Sequence, residues 1–239
     1  MMKKQRWDWR KWLFVDEEKS GKLTARTVFN MIVLFFTIGC VFGTYWEEIQ
    51  YIVVELVETG TLTWEPRRGL IYGPFSPIYG IGAVLIYLVF YLPRFRAWFC
   101  LVAGAVFGGV LEYALSWIQE VLFNTRSWDY STYWLNIGGR TTIPFAIVWG
   151  MLVVLMARAI CPFVVGVYRQ LTTAQANKLC LAITLFLLFD AAMSIGAVYR
   201  RSQRDEGVPA DNAVEEFFDE NFDDEKMHEL YPSTEEIED

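Results

Sequence analysis

The chain has one histidine in 239 residues, His228, and it lies in an acidic C-terminal stretch. A Ser-His-Asp triad or an HExxH zinc site is excluded on that count alone. Four cysteines, Cys40, Cys100, Cys161 and Cys180, show no paired spacing and sit in or beside apolar runs. They read as free thiols serving as small hydrophobes, and no disulfide, metal or other cofactor is expected. No GxxxxGK[ST] motif occurs, so any use of ATP must come from another chain. A short apolar core with a small-residue cleavage site is also lacking near the N-terminus, so the first span is expected to persist in the mature protein.

Charge is as unevenly spread as these residue types. Residues 205–239 hold fifteen Asp or Glu against one Lys, whereas residues 1–204 hold twenty Lys or Arg against thirteen acids. The formal charge of -7 therefore conceals a body of +7 and a tail of -14. Basic residues of the body cluster beside apolar runs, as where chain ends abut anionic lipid, and nucleic-acid binding is disfavoured on the same ground. Hydrophobic residues make up 54% of the chain and aromatics 17%, and the mean hydropathy stays positive at +0.26 despite the polar tail. An all-α, polytopic membrane helix bundle follows, with four or five transmembrane helices.

The expected order begins with a basic, aromatic leader, residues 1–27, in which WDWRKWLFV at 7–15 suits a helix at the headgroup level. The transmembrane domain occupies 28–199, with spans near 28–57, 77–92, 97–123, 143–168 and 179–199. Residues 200–239 form an acidic tail with too few aliphatics to fold alone, expected to be disordered. Phe217, Phe218 and Phe222 keep open a second reading in which the tail folds against a basic groove. Eight basic residues in the leader favour a cytoplasmic N-terminus. Five crossings would then put the tail outside, while Arg200, Arg201 and Arg204 argue for the cytoplasmic side. A re-entrant Gly/Pro-rich stretch between Gly69 and Gly82 would reconcile the two.

Ionisable residues at membrane depth are costly, so each is a candidate functional group. Glu47 and Glu48 close the apolar core of the first span. Glu112 lies mid-way along the third with Glu120 eight residues on, close to one helical face. Arg68, Asp129, Asn136 and Arg140 lie in the first and third loops, which regular alternation puts on one side of the membrane. Glu47, Arg68, Glu112, Asp129, Asn136 and Arg140 are thus the candidate substrate-binding residues, no catalytic or metal role being assigned. The alternative is a set of buried salt bridges fixing helix register. The segment from Gly69 to Gly80 holds three glycines besides Pro74 and Pro77 at its centre, so it cannot be regular helix throughout; it either lines a cavity or leads into the second span.

The order Gly43-x-x-x-Glu47, Arg68-Gly69-x-x-x-Gly73-Pro74-x-x-Pro77-Ile78-Tyr79-Gly80, Glu112-Tyr113, Trp128-Asp129-Tyr130-Ser131, Asn136-x-x-Gly139-Arg140 and Trp149-Gly150 resembles the bacterial CmpB-like ABC-transporter permease family, ABC transporter type IV, over about residues 30–155. Arg67 stands where that family usually has Asn, and the leader, fifth span and tail look like additions. The resemblance implies a transport permease in the bacterial plasma membrane, its polar cluster lining a substrate or ion path, with a separate ATPase subunit or a homo-oligomer as partner. Two other readings fit the same residues: an intramembrane enzyme acting on a lipid or lipid-linked substrate, with the arginines holding phosphate, and a membrane scaffold or sensor recruiting a partner through its tail.

Overall fold

The computed structural model describes residues 24–123 and 129–232. The leader helix expected at 7–15, Trp128 and the last seven residues lie outside them. The described chain is helical: α1 (Ala25–Thr59), α2 (Pro77–Ile86), α3 (Ala97–Phe123), α4 (Ile143–Leu155), α5 (Cys161–Tyr168), α6 (Thr173–Asp205), α7 (Ala213–Asn221) and α8 (Asp224–Leu230). A two-stranded hairpin, β1 (Asn136–Ile137) with β2 (Thr141–Thr142), precedes α4. Single π-helical turns prolong α2 through Tyr91 and join α4 to α5. Four helical stretches are long and apolar enough to cross a membrane: Ala25–Thr59, Ala97–Ile118, Ile143–Tyr168 and Thr173–Asp205. The expected second span is shorter. Pro77–Tyr91 covers 15 residues, or about 22 Å of helix against a hydrocarbon core of about 30 Å.

The chain divides into two compact units. The first, residues 85–170, is built on the pairing of α3 with α4. Small residues make that approach close: a Cβ on Gly150 would lie 2.3 Å from the Leu101 carbonyl oxygen, and one on Gly108 would meet the Trp149 side chain. Below this contact Ile86, Phe90, Cys100, Val153 and Ala157 form an apolar core. Thr142 caps α4 by accepting from the Phe145 N–H, with Pro144 in the first turn where its missing N–H costs nothing.

The second unit, residues 25–84 and 171–239, is built on α1 and α6. Gly43 lies against Tyr79, and Gly39 against Tyr79, Gly80 and Ala83, so α2 descends antiparallel to α1. At the other edge the Asn30 amide donates to Asn177 at 2.9 Å, while Phe75 meets Phe186 and Ile71 bonds to Ser194. Advancing along α6 therefore means moving back through the strap 69–76 and forward along α1. The helices α1 and α6 are parallel, and their C-terminal ends share one face of this unit. The strap is broken backbone, as its glycines and prolines require, and its N–H groups are satisfied inside the protein. Gly69 and Leu70 donate to the Phe75 carbonyl, Ile71 to Ser194, Tyr72 to Asp190 and Ser76 to the Cys40 carbonyl.

The acidic tail departs from the solvated chain that its composition suggests. Asn212 caps α7 and Asp223 caps α8. Phe218, Phe222, Met227 and Leu230 are buried with Ile71 and Ala197 in one cluster. Two short helices need only one apolar face, and α6 supplies both that face and the countercharges. Arg200 forms a paired contact with Asp219 through Nε and Nη2 at 2.9 and 2.8 Å, and Arg204 reaches Asp219 and Asp224. The basic groove that the phenylalanines left open is thus in the same chain. All four cysteines are buried free thiols, in keeping with their reading as small hydrophobes.

Candidate functional site

In the first unit the polar groups gather on one seam of α3. Glu112, Ser116 and Glu120 succeed one another at four-residue steps, as the spacing predicts. Opposite them, β1–β2 turns through Gly138 and Gly139, both with positive φ, and the turn delivers Arg140 and Thr141 onto α3. Thr141 donates to Oε2 of Glu112 at 2.6 Å, and the Tyr130 hydroxyl donates to Oε1 at 3.1 Å. Arg140 does not bond to Glu112. Its guanidinium donates to Ser116, pairs with Glu120 at 2.5 Å and lies 5.7 Å from the centre of the Tyr113 ring.

Two of the candidate residues build the loop instead. Asp129 accepts from the N–H and hydroxyl of Ser131, an Asx turn. Asn136 donates to the carbonyls of Ser131 and Tyr133 and accepts from the Gly139 N–H. Both side chains are exposed, but their polar atoms are spent on folding. That loop in turn holds Tyr130, whose ring stacks on Phe145 with centroids 4.9 Å apart. Burial first, and the Glu112 carboxylate second, push the Tyr130 hydroxyl up to about 12. It is a permanent donor at neutral pH and not a base.

Glu47 and Arg68 belong to the second unit, and no hydrogen bond or ion pair joins them among the described residues. Glu47 accepts from the Tyr79 hydroxyl at 2.9 Å. Arg68 is half-buried and makes no ion pair among the described residues. Its neighbour is more engaged: Arg67 pairs with Glu65, lies 4.6 Å over the Tyr51 ring, and donates its backbone N–H to buried Glu48. The second unit holds a further buried acid: Asp190 is fully buried on α6, accepts from the Tyr72 N–H at 3.0 Å and has an oxygen with no partner among the described residues. The sequence carries a signal for it, since Asp190 is the lone acidic or basic side chain between Lys178 and Arg200.

The Glu112 carboxyl is thus oriented by two hydroxyls, with Arg140, one residue before Thr141, bonded to Ser116 and Glu120. Such a carboxylate can accept a cation or a polar donor. Among the described residues no group of three or more His, Cys, Asp or Glu could hold a metal ion.

Long apolar helices and polar groups held at their depth define a multi-pass membrane protein. The chain belongs to the family described as "Putative ABC-transporter type IV", whose family model matches residues 34–195. The match takes in the sixteen residues of the fifth span from Leu179 to Ser194 and the following Ile195, so that span is part of the family core and not an addition. No curated protein and no solved structure matches the chain.

Proposed function

We propose that this chain is the permease subunit of a transport system in the bacterial plasma membrane, with Glu112 and Arg140 on the substrate or ion path, and that Glu47 and Arg68 are binding groups within the second unit. The observation that carries the reading is the Glu112 carboxylate. Both oxygens are oriented by hydroxyls from outside α3, and among the described residues no cation is bonded to them. A register-fixing group would be expected to take the nearby arginine. Asp129 and Asn136 serve the path by holding Tyr130 and Arg140 in place.

Energy for transport comes from a separate ATPase subunit, since the chain has no phosphate-binding loop of its own. With the leader cytoplasmic, the turns at 92–96 and 169–172 face the cytoplasm and form the docking surface for that subunit. A homo-oligomer would widen a path that so few helices make narrow.

The test is to isolate the full chain from its native membrane with its bound partners and reconstitute it in vesicles. ATP-driven accumulation of solute from a cell extract is then scored by mass spectrometry of the lumen. A partner bearing GxxxxGK[ST] is expected, and Glu112→Gln and Arg140→Gln should insert normally yet abolish accumulation. Absence of such a partner, or full accumulation by both variants, would overturn the reading.

A further inference from the structure

Asp190 lies at the centre of the second unit, remote in sequence from the Glu112 seam. Its side chain is fully buried. The strap crosses it with backbone donors: the Tyr72 N–H reaches Oδ1 at 3.0 Å, while the Ile71 N–H goes to Ser194, whose hydroxyl bonds to the Asp190 carbonyl at 2.7 Å and lies 3.3 Å from Oδ1. The Tyr72 N–H serves Oδ1, and the Ser194 hydroxyl is shared between that oxygen and the backbone carbonyl. The second oxygen, Oδ2, is buried with no partner among the described residues.

That asymmetry distinguishes two chemical species. An ionised carboxylate spreads its charge equally over both oxygens and would leave half of it bare in an apolar site, at a cost of several kcal/mol or about that order. A neutral acid has one carbonyl oxygen, which accepts, and one O–H, which costs about 1–3 kcal/mol when left without an acceptor, less than a bare half-charge. The partnerless Oδ2 is therefore less costly protonated than ionised. The groups that face Asp190 supply no countercharge. Tyr72 on the strap and Tyr231 after α8 are neutral, and Tyr231 leans on the Gly69 carbonyl at 3.4 Å. The Tyr72 ring is stacked on Phe189 and edged by Phe222. Arg200 and Arg204, further along α6, are held by Asp219 and Asp224. Arg68 lies close enough to Tyr231 to act on its hydroxyl.

We infer that Asp190 is a proton-binding site beneath the strap, its proton carried on Oδ2, and that occupancy of this site holds the strap and the tail helices against α6. Loss of the proton leaves an uncompensated carboxylate, which is relieved only when strap and tail move to admit water. The site binds and releases a proton; no bond other than O–H is made or broken.

The full chain in lipid vesicles, grown with carbon-13 aspartate, tests this in two ways. Every exposed aspartate is ionised at neutral pH, so an infrared carbonyl band of a protonated aspartic acid at pH 7 reports a buried one. The band is expected, is lost in Asp190→Asn, and does not respond to sodium chloride at constant pH. In the second readout, cleavage after exposed Lys226 by a lysine-specific protease is compared between pH 7 and pH 8. The native chain should gain about tenfold in rate relative to Asp190→Asn, since a single group ionises about tenfold further per pH unit below its midpoint. Absence of the band in the native chain, its loss on adding sodium, or equal pH dependence of cleavage in the two chains would each overturn the proposal. The first of these requires no variant to fold.

Discussion

The two units treat buried polarity in opposite ways. Around Glu112 and Arg140 each charged side chain has found partners within the hairpin unit, and both oxygens of Glu112 are served. In the unit built on α1 and α6, Glu48 Oε2, Arg67 Nε and Asp190 Oδ2 are buried without a partner among the described residues. Unsatisfied groups in a folded core cost free energy and persist where something else requires them. The hairpin unit has the character of a set geometry, held by small residues and a tight turn. The strap unit carries broken backbone, orphan atoms and a detachable tail, which are the features of a part that changes state.

Substitutions can break this contrast. The largest effect is expected in the hairpin unit from Gly150→Leu, where the Leu101 carbonyl oxygen, as backbone, cannot yield. Overpacking of this kind should cost about 3 kcal/mol, read as a shift in a denaturant titration in mixed micelles, whereas Gly166→Leu, with open space around it, should change nothing measurable. Next is Phe218→Ala in the strap unit. Its ring fills the space over Gly196 and lies in the cluster with Ile71 and Met227, so about 2–3 kcal/mol should be lost. The loss should appear as faster proteolysis of the tail, with the hairpin unit unaffected. If Phe218→Ala unfolded both units together, the separation drawn here would fail.

A smaller effect attends Arg140→Met, which takes the guanidinium away from Glu120. That carboxylate is about a third exposed, so screening reduces the cost to about 1–2 kcal/mol in the same titration. The smallest is a pH effect on the tail. The Arg200 guanidinium, followed by that of Arg204, holds the Asp219 carboxyl below the usual carboxylate range. Its contribution is present above the ordinary aspartate value of about 4 and is lost as pH falls through the depressed value in the folded chain. Tail cleavage by an acid-active protease should therefore accelerate only under strongly acid conditions, and added salt should weaken the same contact. Acceleration already at pH 6 would point to a different group.

Much of this was legible in the sequence and some was not, for physical reasons. Long apolar runs without internal proline announce α1, α3 and α6, because backbone in lipid must satisfy itself. The Glu112–Glu120 seam follows from helical period alone. The broken strap follows from Gly73, Pro74 and Pro77. Which acid Arg140 takes does not follow, since Glu112 and Glu120 lie on one face and the choice is made by the turn at Gly138 and Gly139. The loop bonds of Asp129 and Asn136 are less easily read than their polarity, although Asp-x-Ser is itself an Asx-turn pattern. Docking of the tail depends on pairs about twenty residues apart, Arg200 with Asp219 and Arg204 with Asp224, which neither composition nor periodicity reports. The same pairs ease the conflict over sidedness: arginines neutralised by the tail no longer count as free positive charge beside the membrane.

The central claim is that α1 and α6 are parallel, so that the strap and the tail close one face while the start of α6 lies on the other. Single cysteines at Thr61, Lys178 and Ser202, probed in intact cells with a membrane-impermeant thiol reagent, test it directly, because the four native thiols are buried. The account predicts that positions 61 and 202 label from the same side, the outer one, and that 178 labels only after the membrane is opened. Labelling of 178 and 202 from one side would contradict it.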